Sequence, residues 1–228
     1  MGSFRLWWIK IPRWGEPSYF GGLNVNLQGG QVEYTCRKND NNMRIWISAG
    51  HQAQTGANGF ISEGVEAIYL RDKITAYIKE KAPYIEVVND NDGDGLQTVI
   101  NNMRNVNPDI MLDIHFNAAT PTATGTETFI SDEKSRVLAT ELVEVVSNTL
   151  GIKKRGVKAE NASQHNRLGM LHGFDGIGVL LEVCFVTNKA DAKSYTTHRE
   201  ELAEAIACIL INKVQEDGTT KETGNKSK

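Results

Sequence analysis

Two histidines and two glutamates stand at positions where the chain could bring them together. His51 follows one apolar run of the sequence, His115 lies in a second run at 110–118, and Glu182 lies in a third at 178–188. Glu63 follows the first histidine. Because the carboxyl ends of parallel strands share one edge of an open α/β sheet, residues far apart in sequence can meet there. Two imidazoles and one carboxylate would fill three zinc positions and leave the fourth for water, so these residues predict a zinc hydrolase site.

The elements that must position these side chains alternate between strands and helices. Apolar spacing predicts an amphipathic helix from Ser62 to Lys81, with Ser62 as its cap and Glu63 in its first turn. The further predicted elements, in chain order, are strand Tyr84–Asn89, helix Leu96–Arg104, the His115 strand, strand Gly125–Ile130, helix Ser135–Leu150 and a closing helix within Lys189–Val214. This alternation predicts a single α/β domain with a twisted, mostly parallel sheet flanked by helices.

Length and composition favour one catalytic domain with short extensions. A chain of 228 residues with 40% hydrophobic content suffices for one sizeable core. We predict the domain over residues 43–216, an N-terminal extension over 1–42 that lacks any sustained period, and a polar, mobile tail over 217–228. For the extension, a short β-rich cap that uses Val25, Leu27, Val32 and Tyr34 is the alternative.

Charge and cysteine content exclude several classes of protein. The 25 basic and 28 acidic residues give a net charge of -3, which argues against binding nucleic acid through its phosphates. The three cysteines show no Cys-x-x-Cys spacing, so we expect neither a disulfide framework nor a thiolate metal site. The apolar run before Lys10 is too short for a secretory signal, and no segment predicts a spanning helix. We therefore expect no membrane insertion and a cytoplasmic protein.

Five fragments of the sequence together resemble the zinc-dependent N-acetylmuramoyl-L-alanine amidases of the Amidase_3 family. The fragments are Ala49-Gly50-His51, the glutamate that opens the next helix, Asp113–Ala118, Gly125–Phe129 and Leu181–Asn188. They follow the order of the family from roughly Met43 to Val214. The chain departs from the family pattern at Gln52-Ala53, where Gly-Gly is frequent, and at Gly178, where proline is frequent. Neither departure falls on a predicted ligand.

The resemblance implies a phosphorylase/hydrolase-like fold and roles for the site residues. It assigns zinc binding to His51, to the glutamate at the helix start and to His115, and it assigns the catalytic carboxylate to Glu182. Glu63 and Glu66 are both candidates for the third zinc ligand. The alternative for either residue is a carboxylate of the first helical turn that interacts only with the helix dipole. At the spacing of the family, the apolar helix positions that follow Glu63 are Ile68, Leu70 and Ile74. From Glu66 they would be Arg71, Lys73 and Tyr77, so the resemblance favours Glu63.

The implied activity is hydrolysis of the amide between N-acetylmuramic acid and L-alanine in peptidoglycan. The expected absence of a secretory signal favours a phage lysis enzyme over an exported bacterial autolysin. Another zinc amidohydrolase or carboxypeptidase, or a non-catalytic cell-wall-binding protein, remains the alternative. Asn117 is expected to orient a metal ligand or to contact substrate. The segment Arg155–Lys158 resembles a family segment near the substrate groove, and a solvated turn fits it equally well.

Overall fold

The computed structural model of the protein describes residues 26–28, 31–33 and 43–223, with side chains over 43–215. The chain divides into two compact units, Met1–Thr35 and Cys36–Lys228. In the first unit, strands β1 (Asn26–Gln28) and β2 (Gln31–Glu33) pair antiparallel. The other residues of the predicted extension 1–42 lie outside the described residues, so the predicted domain boundaries stay predictions.

The second unit is built on a six-stranded sheet, with the strand order β4-β3-β5-β8-β6-β7. Its strands are β3 (Arg44–Ala49), β4 (Glu86–Asn89), β5 (Ile110–Asn117), β6 (Thr126–Ile130), β7 (Lys154–Ala159) and β8 (Ile177–Phe185). Every neighbouring pair is parallel except β6 with β8. The predicted α/β class with a mostly parallel sheet is confirmed. The antiparallel pair has a consequence for the site: the amino ends of β6 and β7 lie at the same edge as the carboxyl ends of β3, β5 and β8.

Among the described residues, four α-helices cover the sheet on both faces. They are α1 (Glu63–Lys81), α2 (Leu96–Val106), α3 (Arg136–Leu150) and α4 (Lys189–Thr223). Helices α1, α3 and α4 pack on one face over the larger apolar cluster, and α2 packs on the other over a smaller one. Ser62 occupies the cap position of α1, but its side chain makes no capping hydrogen bond. Helix α4 continues through 217–223, the beginning of the predicted tail. No helix among the described residues is both long and apolar enough to cross a membrane.

The alternation of side chains along the strands divides the α2-covered face into two halves. Trp46, Met111 and Leu180 lie in the smaller apolar cluster on that face. Because side chains alternate with a period of two along a strand, the residue two positions further on in each of β3, β5 and β8 points to the same face, and so does the residue four positions further on in β5. These residues are polar: Ser48 on β3, Asp113 and His115 on β5, and Glu182 on β8. The polar half therefore lies at the carboxyl edge of the sheet.

We predict that a truncated protein of residues 43–216 folds without residues 1–42. The buried apolar side chains among the described residues run from Met43 to Val214, so this truncation keeps all of them. A shorter protein that ends at residue 205 serves as the control, because it loses the following buried residues of α4: Ile206, Ala207, Leu210, Ile211 and Val214. Each large apolar side chain contributes about 1.5–3 kcal/mol when buried, against a total stability of about 5–15 kcal/mol. Thermal melting followed by circular dichroism should show cooperative unfolding for 43–216 alone. An unfolded 43–216 protein would contradict the prediction.

Candidate metal and catalytic site

His51, Glu63 and His115 meet at the carboxyl edge of the sheet. Their candidate ligand atoms all lie within 4.8 Å of one another. The Oε1 atom of Glu63 lies 3.1 Å from Nδ1 of His115 and 3.5 Å from Nε2 of His51. The two imidazole rings stand edge to face with their centroids 5.1 Å apart. The loop after β3, the first residue of α1 and strand β5 therefore supply two imidazoles and one carboxylate to one point, which is a donor set suited to a metal ion.

The chain holds the Glu63 carboxylate in place through backbone donors. The amide of Ala57 donates to Oε2 at 2.7 Å, and the amide of Phe116 donates to Oε1 at 3.1 Å. Burial by itself would raise the pKa of Glu63, but the hydrogen bond with His115 and the two backbone donors outweigh it, so the pKa lies below its usual value. The carboxylate is thus kept ionised at the amino end of α1, where the helix dipole also favours negative charge.

Asp113 orients the imidazole of His115. Its Oδ2 atom lies 3.2 Å from Nε2 of His115, and Ser48 donates its hydroxyl to Oδ1 at 2.7 Å. When Nε2–H donates to Asp113, Nδ1 is left to face Glu63, and carboxylates around metal sites select the tautomer of a histidine in this way. Burial lowers the pKa of His115, but Asp113 and Glu63 outweigh it and hold the pKa well above its usual value. This role of Asp113 was not predicted from the sequence, although its spacing of two residues from His115 on one strand was a usable signal.

Two glycines allow the close approach of these side chains. A Cβ added to Gly50 would lie 2.0 Å from Nε2 of His115. Gly56 has φ +83°, and its added Cβ would lie 2.7 Å from Oε2 of Glu63 and 2.8 Å from Cγ of His51. A side chain at either position would displace a candidate ligand. Glycine at position 50 thus has a steric reason, and glycine at position 56 has a conformational reason as well.

Glu66 points away from the histidines. Its Oε2 atom accepts a hydrogen bond from Nη1 of Arg199 at 3.0 Å, and its backbone carbonyl accepts from the hydroxyl of Tyr195 at 3.3 Å. Both partners belong to α4. Of the two candidate glutamates, the structure therefore brings Glu63 and not Glu66 to His51 and His115.

Glu182 lies directly beside His115, because the two residues are register partners on β8 and β5. The residue is partly exposed, yet its Oε2 atom is buried and has no hydrogen-bond partner among the described residues. Burial raises the pKa of Glu182 to about 7; His115 opposes this rise, and the carboxylates of Glu63 and Glu127 add to it. A carboxyl group with a pKa near neutrality suits proton transfer in both directions.

Glu127 forms a second charged group at the same edge, which the sequence analysis did not assign. Asn117 donates to its Oε1 at 3.0 Å, while Arg155 and Lys158 donate to its Oε2 at 2.6 and 2.5 Å. Asn117 therefore orients Glu127 rather than a histidine. Arg155 and Lys158 belong to strand β7, not to a solvated turn. Burial would raise the pKa of Glu127, but the bonds from Lys158 and Arg155 outweigh it and lower the pKa.

An open cleft of about 300 Å³ adjoins the site on the α2 side. Its lining includes Gly50, His51 and Asp113 from the site, and the apolar side chains of Leu96 and Met170. The cleft is thus a concave surface beside His51 and Asp113, of the kind that ligands occupy.

Comparisons with known proteins agree with this architecture. The family model described as N-acetylmuramoyl-L-alanine amidase, Amidase_3, matches residues 45–212. An uncharacterized protein of Clostridium perfringens (strain 13 / Type A) is 26% identical over 193 residues, which cover 81% of this chain and 56% of that protein. An uncharacterized 38.4 kDa protein of Clostridium perfringens is 29% identical over 179 residues, which cover 74% of this chain and 49% of that protein. The chain thus spans about half the length of the curated relatives it matches.

Solved amidase structures share the fold. A putative N-acetylmuramoyl-L-alanine amidase from Neisseria meningitidis is 26% identical with a TM-score of 0.66, covering 76% of this chain and 96% of that one. The N-acetylmuramoyl-L-alanine amidase from Clostridium difficile 630 is 22% identical with a TM-score of 0.66, covering 77% and 98%. The catalytic domain of the CD27L endolysin targeting Clostridia difficile is 21% identical with a TM-score of 0.64, covering 75% and 98%. The helix-flanked, mostly parallel sheet is therefore the fold of these amidases.

We predict that Glu182 makes the metal-free protein less stable as the pH rises. Its pKa is raised from 4.5 to about 7 in the folded state, so between these values the folded protein holds more protons than the unfolded chain. The free energy of unfolding then falls with rising pH. A pKa shift corresponds to about 1.4 kcal/mol per unit. The free energy of unfolding of the Glu182→Gln variant should therefore exceed that of the wild type by roughly 3 kcal/mol above pH 8, and by less near pH 5.

Urea unfolding of the chelator-treated proteins at both pH values measures this difference. Glu201→Gln, which removes an exposed carboxylate from α4, is the matched control and should leave the pH dependence unchanged. An identical pH dependence in the wild type and the Glu182→Gln variant would show that Glu182 titrates normally in the folded protein.

Proposed function

The chain belongs to the N-acetylmuramoyl-L-alanine amidase family, Amidase_3, and from this membership we propose that it hydrolyses the amide between N-acetylmuramic acid and L-alanine with the help of one zinc ion. The convergence of His51, Glu63 and His115 beside Glu182, whose Oε2 has no hydrogen-bond partner in the described part of the chain, is the observation that supports the proposal most. A non-catalytic wall-binding protein would have no need to keep all four of these groups together.

The residues at the site fit zinc by their chemistry and by the space they leave. Two imidazoles and one carboxylate form a ligand set of catalytic zinc sites, which keep a further position open. A Cβ at Gly50 or Gly56 would overlap the candidate ligand side chains, so the two glycines leave room for them. The buried Oε2 of Glu182 has no hydrogen-bond partner among the residues that the structure describes. When bound, zinc would polarise the scissile carbonyl and lower the pKa of water towards neutrality.

The side chains of the chain divide the remaining work. Glu182 accepts a proton from the attacking water and returns it to the departing amine of alanine, as a general base and then a general acid. Asp113 holds His115 in the tautomer that presents Nδ1, and Ser48 holds Asp113. The ion pairs of Glu127 with Arg155 and Lys158 keep a charged group fixed beside Glu182.

We further propose that the enzyme acts on the bacterial cell wall, either as a phage lysis enzyme or as an autolysin. The likeness to the catalytic domain of an endolysin supports the first role, and the likeness to bacterial amidases supports the second. The cytoplasmic localisation expected from the sequence stays a prediction.

Zinc binding should depend on Glu63 and not on Glu66. Glu63→Gln removes the negatively charged candidate ligand between the two histidines, whereas Glu66→Gln changes a residue paired with Arg199. We expect about one zinc per chain in the wild type and in Glu66→Gln, and below about a tenth in Glu63→Gln after dialysis against a weak chelator. Elemental analysis measures the content, and circular dichroism checks the fold. Loss of zinc from Glu66→Gln with retention by Glu63→Gln would overturn the ligand assignment.

Digestion of purified peptidoglycan tests the reaction itself. Mass spectrometry of the products should find new free amino termini on L-alanine, without new reducing sugar ends or cuts within the peptide. Glu182→Gln should bind zinc normally while its turnover falls by roughly two to four orders of magnitude, since it removes the general base. Release of single amino acids from the peptide carboxyl end would identify a carboxypeptidase. Co-sedimentation with the wall but no new ends would identify a binding protein.

A further inference from the structure

The charged group around Glu127 is built into the edge of the sheet next to Glu182. Glu127 on β6 and Glu182 on β8 are register partners, and side chains opposite each other on antiparallel strands lie roughly 5 Å apart at Cβ. Glu127 is buried, and its two oxygens are used by Asn117, Arg155 and Lys158. The cations that Glu127 holds are therefore placed within reach of whatever Glu182 acts upon.

A bulge in β7 makes this arrangement possible. Thr126 pairs with Lys154 and Glu127 pairs with Gly156, so Arg155 is an extra residue in the strand. In a regular strand, residues three positions apart would face opposite sides of the sheet. The bulge, followed by Gly156 at φ +88°, brings both Arg155 and Lys158 to the same carboxylate oxygen. Bulges next to active sites commonly re-aim a side chain in this way.

The terminal nitrogens of Arg155 are available to bind a ligand. Only its Nε binds Glu127; within the part of the chain whose side chains are described, the terminal Nη1 and Nη2 groups make no hydrogen bond. The guanidinium lies 5.0 Å from the ring centre of Phe185, which closes β8. The side chain is 31% exposed. A guanidinium held by one edge and supported by an aromatic ring presents a planar fork that matches a carboxylate.

Charge balance indicates what this fork would bind. One carboxylate, Glu127, faces two cations, so the group carries a surplus positive charge. In the proposed substrate the N-acetylated sugars are neutral and the lactyl carboxyl is consumed in the scissile amide. The anionic groups belong to the peptide. We propose that Arg155, held by Glu127 together with Lys158, binds a free carboxylate of the peptide stem on the alanine side of the scissile amide. This inference rests on the function proposed above.

Two forms of one substrate test the proposal on the zinc-loaded full-length enzyme. One is purified peptidoglycan with free stem carboxylates, and the other is the same material after carbodiimide-mediated amidation with ammonia. The measurement is the initial rate of appearance of alanine amino termini. We expect the wild type to favour the free carboxylates by about tenfold or more, the range for a charge-assisted hydrogen bond. In Arg155→Met the ratio of the two rates should fall to near one, and Arg155→Lys should retain an intermediate ratio.

The variants are chosen to separate recognition from folding. Arg155→Met leaves Lys158 bound to Glu127, so the buried carboxylate remains paired. Lys154→Met is the matched control, because it removes a cation from the same strand that pairs with Glu144 instead, and it should keep the wild-type ratio. Equal wild-type rates on both substrates, or a lower Arg155→Met rate with an unchanged ratio, would overturn the carboxylate site. Absence of alanine termini from both substrates would instead refute the proposed amidase function.

Discussion

Glu63 joins three segments of the chain, because its carboxylate accepts hydrogen bonds from the amides of Ala57 and Phe116 while it faces both histidines. It is the first residue of α1, so these contacts also fix where that helix begins relative to the sheet. The loop between β3 and α1, the end of β5 and the helix terminus are thereby held together by one side chain. The positions of His51 and His115 relative to each other depend on this arrangement.

The sheet edge concentrates negative charge in a way that calls for compensation. Glu63, Asp113, Glu127 and Glu182 all lie there. Burying carboxylates is costly unless each finds a partner. Glu63 has backbone donors and histidines, Asp113 has Ser48 and His115, and Glu127 has two cations. One oxygen of Glu182 has no hydrogen-bond partner within the described ranges, and burial raises the pKa of this carboxyl group. A divalent cation between the histidines would lower the energy of all four groups, which is a physical reason to expect that metal binding stabilises the fold.

The antiparallel pairing of β6 with β8 brings residues of β6 and β7 to the edge of the sheet where the candidate site lies. Because β6 runs against β8, its amino end and that of β7 lie where the parallel strands end. Glu127 and Arg155 come from those amino ends and sit across Glu182 from His115. The candidate metal ligands therefore lie on one side of the candidate base and the cationic group on the other, so an extended substrate would contact both.

Sequence alone determined most of the architecture and the central residues. The predicted helix Ser62–Lys81 differs from α1 by one residue at its start, and the apolar runs became β3, β5 and β8, because the spacing of apolar residues is a local property of a chain. The same holds for His51, His115, Glu63 and Glu182, whose positions beside strands and at a helix start are visible in the printed sequence. Resemblance to a family, which sums such local signals, favoured Glu63 over Glu66.

Tertiary structure decided what the neighbours of these residues do. The partnership of Asp113 with Ser48, the turn of Glu66 towards α4 and the ion pairs of Glu127 join residues from different elements. β7 was missed because its polar residues and its bulge hide the period of a strand. Whether β6 runs parallel or antiparallel to β8 depends on the path of the whole chain, and only the antiparallel direction pairs Glu127, which holds Arg155, with Glu182. Pairing across a sheet is a long-range property, and spacing along the sequence does not encode it.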